Sequence, residues 1–157
     1  MAVKITAAKV KEFEDELNYK KNEGRKEVIL KIQEARAFGD LSENYEYKIA
    51  REEQGKLEER IQQLEDILTA GNYEIYEIKD HYDKVELGCT VVVEDVDTDR
   101  RQTLRIVGIY ESDPNTEPKK ISNESPLGKA LMGAKKGDEV DFEHKNNTVT
   151  YKIVDIK

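Results

Sequence analysis

The stretch that decides the fold is "YKIAREEQGKLEERIQQLEDIL", residues 47–68, in which seam positions recur at alternating steps of three and four. This spacing puts one side chain per turn on the same face of an α-helix, while Glu, Lys and Arg fill most other positions. A sustained seven-residue repeat is typical of coiled-coil seams. The stretch therefore predicts a long helix that packs against another helix through Tyr47, Ala50, Gln54, Leu57, Ile61, Leu64 and Leu68.

A second helical stripe precedes this one and consists of Val10, Phe13, Leu17, Val28, Ile32 and Ala35. Lys21 and Gly24 fall where the stripe should be apolar, so we expect a kink or loosened turn near Gly24. Two helices joined by the few residues around Gly39 fold back as an antiparallel hairpin. At about 1.5 Å per residue, the arm from residue 6 to residue 38 would reach roughly 50 Å.

After residue 75 the pattern changes to short alternating strands, expected over residues 89–96, 102–109, 139–143 and 148–154. Turn signals lie at residues 136–138 and 146–147. Ser125 as N-cap, Pro126 in the first turn and Gly133 at the end mark one short helix over residues 127–132. The sequence thus predicts an α+β protein with two domains: an antiparallel coiled-coil hairpin over residues 1–75, and a small antiparallel-sheet domain with one short helix over residues 76–157.

Composition excludes several function classes. The 157 residues carry a net charge of −8, and 38% are charged, so bulk charge does not indicate a nucleic-acid-binding domain. No apolar run approaches the roughly eighteen residues of a membrane span, and the N-terminus lacks the apolar core of a signal peptide. Cys89 is the only cysteine, which excludes an internal disulfide. We therefore expect a soluble, cytoplasmic protein in which any metal would be a hard ion held by carboxylates.

The segment "FGDLSENYEY", residues 38–47, joins the two predicted helices and has a structural interpretation. Asp40 followed by Glu43 has the form of a capping box, in which each end of the pair satisfies a backbone N–H of the next helix. Ser42 competes for the same cap, and Gly39 supplies the positive φ that ends the first helix. On this interpretation the segment is only a turn.

The same segment also has a functional interpretation. One cap suffices for a helix, yet Asp40, Glu43 and Glu46 place carboxylates within about two turns, and exposed like charges repel unless a cation arrives. Mg²⁺ suits such oxygen ligands but usually shares its site with waters and phosphates. The segment therefore resembles half of a metal site that a partner completes.

The sequence resembles the bacterial Gre transcript cleavage factors over nearly its whole length. The resemblance rests on "ARAFGDLSENYEYKIAREEQGKLEERI" in the hairpin, and on "IVGIYESDP" and "SNESPLGKALMGAKKGDEV" in the C-terminal half. It implies a long antiparallel coiled coil followed by an FKBP-like C-terminal domain. It also implies an accessory factor, without enzyme activity of its own, whose arm enters the secondary channel of RNA polymerase and stimulates cleavage of the 3′ end of backtracked nascent RNA.

The resemblance assigns roles to particular residues. Asp40 and Glu43 would act in catalysis by completing the shell of a Mg²⁺ ion shared with the polymerase active site, or by positioning the attacking water; the isolated protein would bind no cofactor. Arg36 and Arg51 would contact the RNA, and Glu124, Ser125 and Pro126 would contact the polymerase. Glu46 is the weaker candidate among the carboxylates.

The residues leave other interpretations open. Arg36 and Arg51 could instead pair with the carboxylates of the turn, and the cluster formed by Lys20, Lys21, Arg25 and Lys26 reads as a solvated face. Tyr45 stands where the family has a small residue, and is either a base-stacking side chain or merely exposed, whereas Tyr47 belongs to the seam. The expected partners are RNA polymerase and the nascent RNA 3′ end, without membrane contact, and the protein is expected to be monomeric.

Three competing functions remain. A channel-occupying inhibitor could use the same scaffold, but could dispense with both Asp40 and Glu43. A prolyl isomerase, suggested by the FKBP-like half, needs a pocket with aromatic walls, and the chain has no Trp and only Phe142 as a Phe in that half. A plain coiled-coil interaction module explains the seam but not the acidic turn.

Overall fold

The computed structural model describes residues 2–39 and 43–157. It divides into two compact units, one of residues 10–73 and one that combines the residues up to 9 with residues 74–157. The sequence-based division into 1–75 and 76–157 had placed the N-terminal residues with the hairpin. They belong with the C-terminal half because strand β1 (Val3–Ile5) pairs with β2 (Tyr73–Ile75), and the N–H of Tyr76 donates to the carbonyl of Ile5 over 3.0 Å.

The helical unit contains most of helix α1 (Ala7–Tyr19), a π-helical turn (Lys20–Gly24), α2 (Arg25–Arg36) and α3 (Tyr45–Leu68). The π-helical turn confirms the loosened turn that Lys21 and Gly24 predicted. Its widened backbone gains a side-chain hydrogen bond, since Asn22 Nδ2 donates to the carbonyl of Asn18 over 2.8 Å.

Helices α2 and α3 pack through the predicted seam. Val28, Ile32 and Ala50 are buried together, with Tyr47 and Leu57 half-buried against them. Ion pairs connect α3 to the helical segments that precede the turn. Residue numbers rise along those segments as they fall along α3, which is the register of an antiparallel hairpin. These pairs are Lys21–Glu65 at 3.3 Å, Arg25–Glu58 at 2.9 Å and Lys31–Glu53 at 3.0 Å.

The second unit is built on a five-stranded sheet in the order β5-β4-β3-β7-β6. Its strands are β3 (Thr90–Asp95), β4 (Arg101–Val107), β5 (Lys119–Ser122), β6 (Glu139–His144) and β7 (Asn147–Ile156). All pairs are antiparallel except β4 with β5, which is parallel. The four predicted strands are confirmed, whereas β5 has no alternating pattern in "KKIS" and was not predicted.

The core of this unit lies between the sheet and the short helix α4 (Pro126–Leu131). Val91, Leu104, Ile106 and Ile153 contribute from the strands and Leu131 from the helix, and all are at most 1% exposed. The predicted short helix and its N-cap Ser125 are confirmed, but the helix covers Pro126–Leu131 rather than 127–132. Its C-cap is Met132, and Gly133 follows at a φ of 81°. The mixed helix and sheet content is that of an α+β protein.

Glu111 ties the N-terminal residues to this unit. Its carboxylate accepts from the N–H of Thr6 over 2.7 Å and from the hydroxyl of Tyr76 over 2.8 Å. Burial, reinforced by the bond to Glu111, raises the pKa of Tyr76, so that the hydroxyl remains a donor at neutral pH. Among the described residues, no helix is long and apolar enough to cross a membrane.

Candidate functional site at the helix turn

Helix α2 ends in a tight turn ahead of the acidic segment. The N–H groups of Phe38 and Gly39 donate to the carbonyls of Ala35 and Arg36, each over 3.2 Å. Gly39 has a φ of 112°, a conformation that L side chains rarely adopt. The prediction that Gly39 ends the first helix with a positive φ is confirmed.

The cap of α3 is Asn44, and the predicted capping box of Asp40 and Glu43, with Ser42 as competitor, is wrong. Asn44 Oδ1 accepts from the N–H of Tyr47 over 3.0 Å, which satisfies one of the free donors at the start of α3. Asn44 Nδ2 donates to the carbonyl of Ala35 at the end of α2. The cap is Asn44 because α3 begins only at Tyr45. The Asn44 side chain is therefore hydrogen-bonded to both helices.

The predicted acidic site is described in part. Asp40, like Leu41 and Ser42, lies outside the described residues. Glu43 is exposed in the turn directly before the cap, and Glu46 is exposed in the first turn of α3. Asn44 provides the cap of α3, and Glu43 is an exposed residue directly before it.

Arg36 is exposed at the C-terminal end of α2, where a cation is favoured by the helix dipole. Its guanidinium lies 5.8 Å from the centre of the Tyr47 ring, a cation–π distance. Tyr47 is half-buried on the seam, which confirms its structural role. The ring thereby holds Arg36 beside the turn.

Lys48 and Arg51 are exposed on α3 near the turn, and within the described part of the chain neither they nor Arg36 forms an ion pair. Farther from the turn, Lys21 and Arg25 each pair with a glutamate of α3. Both side chains stay partly exposed, as predicted for a solvated face, and in addition opposite charges on α3 face them. Beside the turn, Arg36, Lys48 and Arg51 are cations that no carboxylate among residues 2–39 and 43–157 neutralises.

The loop before α4 carries the other predicted site residues. Ser125 Oγ accepts from the N–H of Gly128 over 3.0 Å and donates to the carbonyl of Ser122 over 2.7 Å. Glu124 and Pro126 are exposed on either side of it. Ser125 therefore fixes the loop, while its neighbours face solvent.

Ser125 and Pro126 also line a cavity of about 470 Å³ on the sheet unit. Phe142 and Tyr151 form an aromatic part of its wall, with ring centroids 5.1 Å apart. Burial raises the pKa of Tyr151, so its hydroxyl is uncharged at neutral pH. The sequence reasoning undervalued this surface because it counted Phe and Trp, whereas the pairing of β6 with β7 brings a Tyr beside the single Phe of this half.

The metal-binding capacity of the described residues is limited. None of them forms a group of three His, Cys, Asp or Glu side chains that could hold an ion. Glu43 is an exposed carboxylate and so fits one position in the oxygen shell of Mg²⁺.

Two sequence-family models match the chain, and both describe transcription elongation factors. The model "Transcription elongation factor, N-terminal" matches residues 3–71, and "Transcription elongation factor, GreA/GreB, C-term" matches residues 79–157. The "Transcription elongation factor GreA" of Thermoanaerobacter pseudethanolicus is 44% identical over 154 residues, covering 98% of this chain and 96% of that protein. The protein of the same name from Clostridium acetobutylicum is 44% identical over 153 residues, covering 98% and 95%.

Solved structures with similarity to the chain carry related names. The GreA factor homolog 1 (Gfh1) protein of Thermus thermophilus is 29% identical, covers 100% of this chain and 99% of its own, and has a TM-score of 0.44. The GreA/GreB elongation factor of Nitrosomonas europaea is 17% identical, with coverage of 100% and 98% and a TM-score of 0.42. On the family models and the 44% identical relatives, the chain belongs to the GreA/GreB family of transcription elongation factors.

Proposed function

We propose that the protein inserts its helix turn into the secondary channel of RNA polymerase and stimulates the polymerase's own cleavage of the 3′ end of backtracked RNA. The observation that carries this proposal is that the helix cap and the exposed carboxylate are different residues of the turn. Asn44 caps α3, and the exposed Glu43 carboxylate forms no hydrogen bond or ion pair with any other described residue. The protein acts as an accessory factor in the cytoplasm and as a monomer.

Asp40 and Glu43 are the catalytic residues of this proposal. When two Mg²⁺ ions are bound, one stabilises the leaving oxygen of a phosphodiester and the other activates a water. Beside an ion held by the polymerase, Asp40 and Glu43 would supply oxygen ligands for a second ion or would orient the attacking water. Neither role needs a complete metal site on this chain.

Arg36 and Arg51 contact the RNA backbone in this proposal. Their support is that no carboxylate in the described part of the chain neutralises either side chain, and that Tyr47 holds Arg36 beside the turn. Phosphate contacts from Arg position a nucleic acid without reading its sequence. The basic side chains therefore hold the transcript, while the carboxylates act at the reacting phosphate.

The loop Glu124, Ser125 and Pro126 docks the factor on the polymerase. Its support is the adjoining cavity of about 470 Å³, whose aromatic wall is a surface suited to receiving a protein side chain. Ser125 keeps the loop in place through its two hydrogen bonds. This surface serves affinity, separately from the chemistry at the turn.

The test is RNA cleavage in a backtracked elongation complex of bacterial RNA polymerase with Mg²⁺, comparing wild type with Asp40→Asn and Glu43→Gln. We expect the cleavage rate at saturating factor to fall by at least about a hundredfold for each. Glu52→Gln, an exposed glutamate farther along α3, is the matched control and should cleave like wild type. Thermal melting of every variant checks that the helices remain folded.

Two outcomes would contradict the proposal. Unchanged cleavage in Asp40→Asn and Glu43→Gln would leave the carboxylates without a catalytic role. A wild-type protein that binds the polymerase and blocks cleavage would instead be a channel-occupying inhibitor.

A further inference from the structure

A groove of about 240 Å³ runs along one side of the helical unit close to the turn. We call it the Phe38–Ile49 groove after the two exposed apolar side chains in its lining; Glu34 and Glu46 also line it, as do Lys31 and Glu53. Phe38 follows the end of α2, and Ile49 lies in the first turns of α3. The groove is therefore made by both helices, and neither Phe38 nor Ile49 takes part in the proposed catalysis or RNA contact.

Phe38 and Ile49, the exposed apolar side chains of this groove, lie outside the buried core of the hairpin. Phe38 is 74% exposed and Ile49 38% exposed, whereas the packed residues Val28, Ile32 and Ala50 are at most 7% exposed. Covering a side chain as large as Phe removes unfavourable contact with water. The groove thus offers hydrophobic stabilisation to whatever binds there.

The charges on the rim indicate what kind of partner fits. Lys31 and Glu53 neutralise each other across the groove at 3.0 Å. Glu34 and Glu46 have no ion pair within the described residues, so the rim is net negative. A partner that brings a cation next to an apolar side chain complements both features.

The geometry of α3 separates this groove from the basic side chains of the proposed RNA contact. Glu46, Ile49 and Glu53 are spaced three and four residues apart and share one flank of the helix. Lys48 and Arg51 are three residues apart on another flank, and neither lines the groove. A polyanion such as RNA is attracted to the second flank and repelled by the rim of the first.

We propose that the Phe38–Ile49 groove binds a segment of the polymerase channel wall that presents a Lys or Arg beside an aliphatic or aromatic side chain. The proposal rests on the proposed function, because it takes the polymerase as the partner. The apolar side chain covers Phe38 and Ile49, and the cation lies between Glu34 and Glu46. The hairpin then has one flank for protein and one for RNA, which fixes its rotation about its own axis in the channel.

The experiment measures the concentration of factor needed for half-maximal RNA cleavage in a purified backtracked complex, together with the rate at saturation. Phe38→Ala and Glu34→Lys each should raise the half-maximal concentration about tenfold and change the saturating rate less than about twofold. Ile29→Ala removes an exposed apolar side chain of α2 that does not line the groove, and Glu52→Lys makes the same charge change on α3 outside it. Both controls should match wild type.

A crosslink identifies the occupant in the intact complex. With a photoreactive phenylalanine analogue in place of Phe38, we expect an adduct on a polymerase peptide that contains Lys or Arg next to an apolar residue. An adduct on the RNA, no adduct at all, or unchanged half-maximal concentrations in Phe38→Ala and Glu34→Lys would overturn the proposal. In each of these cases, cleavage stimulated by the wild-type protein would leave the proposed function standing. A wild-type protein that neither binds nor stimulates the polymerase would overturn both.

Discussion

Replacing Asn44 with alanine should destabilise the helical unit. Among the residues of the turn that are not fully buried, no other single change should cost more stability. Asn44 makes two bonds at once, accepting from the N–H of Tyr47 and donating to the carbonyl of Ala35. Asn44→Ala removes both. The start of α3 then loses its cap, and the two helices lose their hydrogen-bonded link at the turn.

The magnitude follows from the two bonds. Loss of an N-cap side chain costs about 1 kcal/mol, and loss of a further hydrogen bond to a carbonyl costs about 1 kcal/mol. The free energy of unfolding should therefore fall by about 2 kcal/mol. For a unit the size of residues 10–73, this corresponds to a lowering of the melting temperature by about 10 °C.

The assay is thermal and urea unfolding followed by the circular dichroism of the helices at 222 nm. Asn44→Asp is the matched variant, because it keeps the acceptor for Tyr47 but replaces the donor to Ala35 with a second acceptor. It should lose about half as much stability as Asn44→Ala. If Asn44→Ala unfolds within about 0.3 kcal/mol of wild type, well below the usual cost of losing a cap, the two bonds do not organise the turn.

Three further predictions concern stability elsewhere. Gly39→Ala should lower the free energy of unfolding by about 1 kcal/mol or more because of the positive φ. Gly55→Ala, with open space around it in α3, should raise the free energy of unfolding by about 1 kcal/mol. Equal urea midpoints of the two variants would contradict this contrast. Gly128→Ala would put a β-carbon 1.9 Å from a backbone carbonyl oxygen, so it should cost about 3 kcal/mol, measured by near-ultraviolet circular dichroism. The hydrogen bond from Arg25 lowers the pKa of Glu58 below its usual 4.5, so this pair stabilises the fold above that pH and loses its effect as the pH falls through the lowered pKa. Arg25→Met should therefore melt below wild type at pH 7 and converge with it in acid, and a constant difference would refute the contribution of this pair.

The hairpin was predictable because helix periodicity is a local signal. The spacing of Tyr47, Ala50, Leu57, Ile61 and Leu64 identifies the buried face of α3 without any knowledge of its partner, and the structure buries or half-buries each of these residues. The interruption at Lys21 and Gly24 likewise predicted the π-helical turn. Side-chain spacing alone carries this information.

The elements that sequence reasoning missed depend on contacts distant along the chain. Strand β5 forms because it pairs in parallel with β4. The residues up to 9 belong to the second unit because β1 pairs with β2. The cap was missed for a different reason, since Asp40, Ser42 and Asn44 are all competent N-caps. Only the first helical residue of α3 decides between them, and helix boundaries are poorly fixed by periodicity.

The choice of Asn44 as cap also determines how the cleavage experiment can be interpreted. Had Asp40 and Glu43 formed the capping box, their substitution would have weakened α3 by about 1 kcal/mol, and a loss of cleavage could have reflected a frayed turn. With the cap held by Asn44, Glu43→Gln changes an exposed carboxylate without removing the described bonds between α2 and α3. Glu43→Gln should therefore melt like wild type while cleavage falls, and Asn44→Ala should melt early. Opposite effects in these two neighbouring positions would separate the chemistry of the turn from its stability.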